Sequence, residues 1–289
     1  MPAAGLLVIK RRMNSIKNTQ KITKAMALVS TAKVKKARDK LSSNNIYFRK
    51  LEMMKKDVFM FEEDFKDNTF IQPNGSDKKL YVVFTSNSGF CGGFNGSGAI
   101  YLNEKFVSKE EKAKIDTYVL GAKGISYLGK YGIKVSHKDT SIKGDIDIKT
   151  ARRIVGKLMN MYVNKEYGEI SFLYTRFKSP LEQELVEVPV LPFRIDKTEE
   201  DNKINIFNRE IHSDELIESF IYRYIEGLLI NATYSGMASE ENARMQAMDG
   251  ATRNAGDIID NLNTKYNRIR QAAITQEISE IVGGAESQK

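Results

Sequence analysis

The chain has 289 residues, 41% hydrophobic and 28% charged, with a net charge of +8. This is globular composition, long enough for one large domain or two unequal parts. No run of about 18 apolar residues is present, which excludes a helical membrane span. The first fifteen residues (MPAAGLLVIKRRMNS) have too short an apolar stretch, with positive charge on the wrong side, for a secretory signal. The single cysteine, Cys91, excludes an internal disulfide framework and a cysteine-cage zinc site. His137 and His212 lie 75 positions apart and form no H-x-x-x-H pair.

Charge is divided along the chain. Residues 1–60 carry +12, residues 61–212 carry +1 and residues 213–289 carry −5. Residues 1–38 hold ten basic side chains and no acid. The basic first segment can face the acidic last segment or an acidic partner: nucleic acid, lipid headgroups or a protein surface.

Proline is absent from residues 3–72 and 193–289, and glycine from residues 6–60. Proline costs about 3 kcal/mol inside a helix, so both ends read as long helices flanking a mixed centre. In the first, Ile9, Met13, Ile16, Gln20, Thr23, Ala27, Ser30, Val34, Ala37 and Leu41 alternate by four and three, a coiled-coil stripe.

The centre alternates strands and helices. Segment 79–86 (KLYVVFTS) predicts a strand, 95–112 a helix, 115–121 a strand and 125–130 a short helix. Segment 133–136 predicts a third strand, 150–163 an amphipathic helix, 169–177 a strand and 185–190 another. This order predicts a mostly parallel sheet with crossover helices. Residues 195–211 are polar and irregular.

In the last helix, Ile217, Ile221, Tyr224 and Leu228 keep the heptad rhythm, as do Ala255, Ile259, Leu262, Tyr266, Ile269 and Ala273. The stretch between contains Gly236, Gly250 and Gly256 and is the weaker part of the pattern. Ser213 is the expected N-cap and Gly283-Gly284 the expected stop. Two such helices would run about 80–110 Å, beyond a compact domain's diameter, so each must pair with the other or with a partner. The fold class is therefore α/β, with two long terminal helices.

The chemistry-bearing motifs are few. Gly89-Phe90-Cys91-Gly92-Gly93-Phe94-Asn95-Gly96-Ser97-Gly98 follows a strand and precedes a helix, where a doubly wound fold would bind phosphate. The dinucleotide spacing fails, because Tyr101 stands where the third glycine belongs, and no Walker sequence occurs. Glycines chosen for a tight turn are the simpler reading, with a loop that touches a protein partner as an alternative. Cys91 has no histidine near it in sequence, which makes a packed turn residue a better reading than a nucleophile. Asp145 and Asp147 form an isolated D-x-D, weak grounds for a metal site. No catalytic residue, metal site or cofactor is expected. The basic helix lacks aromatics before Tyr47 and Phe48, which argues against single-strand nucleic-acid binding. These features describe two long helices on an α/β body, built to engage a large partner.

Several segments resemble one family. NTQKITKAM (18–26) and LVSTAKVKKA (28–37) resemble the start of the gamma subunit of F-type ATP synthase, and GFCGGFN (89–95) resembles its central glycine loop. ASEENARMQAMDGAT (238–252) and YNRIRQAAITQEISEIVGGA (266–285) resemble its C-terminal helix, the last being the family's signature. The matches fall in family order across the whole chain. The resemblance implies an antiparallel coiled coil of the terminal helices (1–60 and 213–289) and a central Rossmann-like domain with its connections (61–212) that binds no nucleotide. It implies a rotor shaft without an active site of its own, which couples ion-driven rotation to the catalytic beta subunits. The implied partners are the hexamer of three alpha and three beta subunits, the epsilon subunit and the c-ring, with no nucleic acid. The implied place is the cytoplasmic face of the cell membrane, as a peripheral protein; the lack of a transit peptide favours a bacterial type.

By the same resemblance, Arg270 and Gln271 match positions that hydrogen-bond a beta-subunit loop. Arg244, Thr275 and Glu277 match coupling positions, and Met26 lies in the matching N-terminal motif. Gly89, Cys91, Gly92 and Gly93 belong to a loop expected to face the beta subunits. Two departures stand out. Asn87-Ser88 replace the family's usual Asp-Arg before the glycine loop, removing an acid and a base from that surface, and Arg253-Asn254 stand where an acid often precedes the Asn. A shaft for a specialised related motor, or a nucleic-acid-binding coiled coil, are the alternatives; the latter predicts duplex binding that falls steeply with salt.

Overall fold

The structure, a computed structural model, describes residues 2–58, 68–142, 144–194 and 214–286. Two helices dominate: α1, Pro2–Val58 with 57 residues, and α6, Asp214–Glu286 with 73. At 1.5 Å per residue they run about 85 and about 110 Å. Their lengths follow from the proline-free sequence. The chain forms two compact units, Met1–Thr31 with Arg244–Lys289, and Ala32–Ala243.

In the first unit the heptad stripe is the covered face. Thr23 and Ser30 are buried and Ile9, Met13, Ile16, Gln20 and Ala27 are half-buried, while the basic residues between them face solvent. From α6, Met248, Ala255 and Ile259 are buried, and Leu262, Tyr266, Ile269 and Ala273 half-buried. The Thr23 and Thr252 hydroxyls lie 2.7 Å apart, and Gln20 donates to the Thr252 carbonyl at 3.3 Å.

In the second unit a five-stranded sheet has the order β3-β2-β1-β4-β5. Strands β1 (Lys79–Phe84), β2 (Ile115–Leu120), β3 (Val135–Asp139) and β4 (Glu169–Phe177) are parallel; β5 (Gln183–Leu191) runs antiparallel to β4. Every residue of β2 is buried, the signature of a strand covered on both faces. Alternation along β1 divides the core. Leu80, Val82 and Phe84 pack with α5 (Ile148–Val163) and with Ile217, Ile221, Ile225 and Leu229 of α6. Tyr81 and Val83 pack on the other face with α2 (Phe94–Lys105) and α4 (Gly124–Lys130). Within this unit α1 and α6 are antiparallel: Lys33 pairs with Glu241 at 3.3 Å, Asn45 accepts from Asn231 at 2.7 Å, and Leu51 lies against Gly227.

Four local expectations need correction. The helix expected over 95–112 is two helices, α2 and α3 (Lys109–Ala113). Phe106 leaves the helix to set its ring 5.8 Å from Tyr81, and Ser108 restarts the chain with a capping box to Glu111. The third strand extends past Ser136, so His137 lies within β3, its ring 5.7 Å from Tyr118, rather than after the strand. The middle of α6 is its most enclosed part, because small residues such as Gly227, Ala232, Ser235 and Ala238 leave room for neighbouring side chains, Leu51 standing 2.7 Å from where a Gly227 Cβ would lie. Finally, α6 continues through Gly283-Gly284. Glycine costs a helix about 1 kcal/mol, which discourages but does not stop it. The proposed Ser213 cap, His212 and the irregular 195–211 segment lie outside the described residues.

Candidate functional site

The glycine loop is built by the end of β1. Thr85 N–H donates to the Leu120 carbonyl at 2.8 Å, and the Thr85 hydroxyl accepts from Gly124 N–H at 3.2 Å. A Cβ on Gly121 would stand 2.2 Å from the Thr85 carbonyl oxygen, at a φ of +107°, so only glycine fits where β2 turns away. Inside the loop, Asn95 is the organiser. Its Oδ1 accepts from Ser86 N–H at 2.8 Å, and its Nδ2 donates to the Ser86 hydroxyl at 2.8 Å and to Cys91 Sγ at 3.0 Å. Cys91 is therefore an inward, 2%-exposed residue of the turn, and its side chain is not on the surface expected to meet a partner. The exposed positions are Asn87, Ser88, Phe90, Gly92 and Gly93, with Gly89 half-buried. Phe90 is 71% exposed at a φ of +63°, a conformation that aromatic residues avoid. The sequence pattern did not single it out.

The helix following the loop does not present a free phosphate cradle. Phe94 N–H donates to the Cys91 carbonyl at 3.2 Å, and Gly96 and Ser97 N–H both donate to the Gly93 carbonyl, at 3.0 and 3.1 Å. These are the donors an anion would need. Beside the loop is a cavity of about 440 Å³ bounded by Lys33, Lys36, Lys40, Asn87, Met237 and Glu240. Lys33 is matched there by Glu241 and Lys40 by Asp145, so two of its three ammonium groups already face carboxylates.

Asn87, where the resemblance leads one to expect an acid, is occupied structurally. Its Nδ2 donates to the Ile142 carbonyl at 2.8 Å and its Oδ1 accepts from Ala122 N–H at 3.1 Å. An aspartate could make only the second bond. The D-x-D pair is likewise divided. Asp145 accepts from Lys40 and, at 2.8 Å, from the Tyr234 hydroxyl. Asp147 caps α5 through Thr150 N–H at 2.7 Å. The Lys40 hydrogen bond holds the Asp145 carboxyl below its usual range, while burial and then the same carboxylate push the Tyr234 phenol to about 12. Among the described residues no three His, Cys, Asp or Glu side chains gather as a metal site.

The C-terminal positions separate by exposure. Arg270, Gln271, Thr275 and Glu277 are exposed, Met26 is half-buried and Arg244 is buried to 5% exposure. Between and beyond the first four, Ile274, Ile278, Ile281 and Val282 are also exposed. Their spacing of four, three and one places them on one helix face. They lie out of phase with the stripe that ends at Ala273, whose rhythm runs on to Gln276 and Glu280, so that stripe does not predict them. Among the described residues, no helix is long and apolar enough to cross a membrane.

The ATP synthase sequence family matches residues 5–287. The ATP synthase gamma chain of Clostridium perfringens strain 13 is 45% identical over 289 residues, all of both chains. That of Clostridium botulinum strain Kyoto is 44% identical, again over all of both chains. Among solved structures, a chain from the Euglena gracilis mitochondrial ATP synthase OSCP/F1/c-ring assembly superimposes with a TM-score of 0.72 at 18% identity, covering 99% of this chain and 95% of that one. A chain of the Tetrahymena thermophila central stalk/c-ring assembly gives 0.56 at 21% identity, covering 80% and 99%. At those identities the solved structures share the fold.

Proposed function

This chain belongs to the ATP synthase gamma-chain family, and we propose from that premise how its surfaces work as the central rotor shaft of an F1Fo ATP synthase. The shaft couples ion-driven rotation to the conformational cycle of the catalytic beta subunits. Each angle of an asymmetric shaft favours one conformation of each site, so turning it shifts the three populations in sequence. Residues 1–60 and 213–289 supply the shaft and residues 61–212 the body. The partners are the alpha–beta hexamer around the helices and the epsilon subunit and c-ring beside the body. The complex places the chain, as a peripheral subunit, at the cytoplasmic face of the cell membrane.

One observation carries the assignment of the contact surface: the exposed stripe of Ile274, Ile278, Ile281 and Val282, interleaved with Arg270, Gln271, Thr275 and Glu277. An apolar stripe of this length left uncovered marks a protein contact. Arg270 and Gln271 supply hydrogen bonds to a beta-subunit loop. Exposed polar contacts are worth about 0–1 kcal/mol each, weak enough to be exchanged as the shaft turns. Arg244 and Met26 act by holding the helix pair, and the loop acts through Phe90, Gly92 and Gly93, with Cys91 and Gly89 shaping it.

The assignment is tested by inserting an affinity tag at the exposed Gly75 and purifying the complex from its own cell. One copy with three alpha and three beta subunits and ATPase activity is expected; recovery alone or with nucleic acid would sink the rotor reading. In that complex, Arg270→Ala with Gln271→Ala is expected to lower ATPase turnover several-fold with subunit stoichiometry intact. Unchanged turnover and coupling would remove these two residues from the contact surface.

A further inference from the structure

Within residues 32–243, besides the bonds of Tyr222 and Glu226 to Arg152 of α5, two separate sets of directional bonds tie α6 to the strand ends and the segments beside them. The first is a row on one helix face. Ser235 Oγ accepts from Phe177 N–H at 2.8 Å, Ser239 Oγ donates to the Thr175 carbonyl at 3.2 Å, and Asn242 Nδ2 donates to the Pro180 carbonyl at 2.9 Å. The acceptors and donor belong to the end of β4 and the turn after it, and all three side chains are buried. The second set begins one residue earlier. Tyr234 donates to one oxygen of Asp145, and Lys40 of α1 donates to the other. Asp145 sits on the segment between β3 and α5, which Asn87 ties to the strand ends through the Ile142 carbonyl and Ala122 N–H.

Geometry gives these two sets a joint meaning. Contacts along a single row leave a helix free to roll about that row. Successive residues of a helix point about 100° apart, so the Tyr234 attachment lies well round the barrel of α6 from the Ser235 row and ends on a different part of the body. Rolling α6 in either direction stretches one set or the other. Because Asp145 also takes Lys40, the same carboxylate fixes α1, and the helix pair is held as one object.

We propose that Asp145 and the Ser235–Ser239–Asn242 face form an anti-roll lock through which torque passes between the α/β body and the helix pair. These are positioning residues, and the inference rests on the rotor reading. It goes beyond that reading by assigning two serines and an asparagine of α6, together with one half of the D-x-D pair, to torque transfer rather than to partner contact.

The test uses the tagged holoenzyme in sealed vesicles, with ATP hydrolysis and ATP-driven ion uptake measured on the same preparation. For Asp145→Ala with Ser239→Ala, hydrolysis is expected within twofold of the parent while ions moved per ATP fall at least threefold. A purely structural role would lower hydrolysis and uptake together and leave the ratio unchanged. Should the double variant fail to assemble, Asp145→Asn and Tyr234→Phe, which keep side-chain volume, are expected to lower the ratio individually. A ratio unchanged in the assembled variants, including one where hydrolysis and uptake fall in equal proportion, overturns the lock. A parent complex without ATPase subunits would instead overturn the rotor reading.

Discussion

Two stretches of the same helix, residues 225–243 and 262–285, meet opposite environments. The first holds Ile225, Leu228, Leu229, Ala232, Ser235, Ala238 and Ser239, all buried. The second keeps only a half-buried stripe as far as Ala273 and is exposed from Ile274 through Ala285. Helix propensity does not distinguish them, since both are helical throughout. The difference is what each face is complementary to. The first stretch is rich in small residues that admit a sheet and a second helix, so its fold is completed by this chain. The second keeps isoleucines on a face that the described residues leave exposed, the face proposed above to meet a partner.

The largest effect that separates the two is a truncation in each. Leu229, fully buried, should lose about 2–5 kcal/mol as Leu229→Ala, seen as a lower thermal midpoint of the isolated chain. Ile278 is 56% exposed, and Ile278→Ala should leave that midpoint unchanged while weakening retention of the chain in the ATPase complex. Equal midpoints for the two variants would break the comparison.

Which parts of this were legible in the sequence follows the same division. The heptad residues from Ile9 to Leu41 form the covered stripe of α1 because a period of 3.5 admits one partner face. Strand β4 was legible to the residue because its apolar run is long and bounded. The enclosed middle of α6 was read as weak for a physical reason: small and hydroxyl residues score as polar or neutral, yet they are what close packing on two sides requires. The lock was invisible because Ser235, Ser239 and Asn242 donate to or accept from backbone groups of β4 and its turn, and no side-chain pattern reports a backbone partner. Asn87 looked like the loss of a charge and is a gain of a donor. The expected contact and coupling residues came from resemblance alone; Arg270, Gln271, Thr275 and Glu277 are exposed and Arg244 is buried, and a search for a new stripe would have found only the isoleucines beside them.

A smaller effect sharpens the comparison within the shaft's covered stripe. Thr252 donates to the Met248 carbonyl at 2.8 Å and shares a 2.7 Å contact with Thr23. With one proton on each hydroxyl, the Thr23 proton then has two acceptors, Thr252 at 2.7 Å and the Gln20 carbonyl at 3.1 Å. Thr23→Val keeps the shape and removes the donor, so it should cost about 0.5–1.5 kcal/mol, measured by denaturant unfolding of the full chain. If Thr23→Val with Thr252→Val is as stable as the parent, the pair serves register rather than stability, which denaturation alone separates from the single variant.

The smallest effect concerns charge. On the α2 face of the sheet, Glu187 accepts from Tyr101 at 2.7 Å, Lys105 at 2.5 Å and Tyr81 at 3.4 Å. Burial alone would raise its pKa, but Lys105 and the two phenols outweigh burial and hold it below its ordinary value. The same environment pushes Tyr101 up to about 12, by burial first and then by the bond to Glu187. A carboxyl depressed in the folded state contributes stability above its unfolded pKa, about 4.3, and loses that contribution as pH falls through the folded value. Glu187→Gln should therefore lower the unfolding midpoint at pH 7, with the gap to the parent closing as pH is taken below 4. In residues 262–285 the acids Glu277 and Glu280 are exposed, and neutralising them should move assembly with the hexamer and its salt dependence instead of the midpoint. A Glu187→Gln gap that stayed constant with pH would mean that the carboxylate acts by packing, and that charge does not distinguish the body from the shaft.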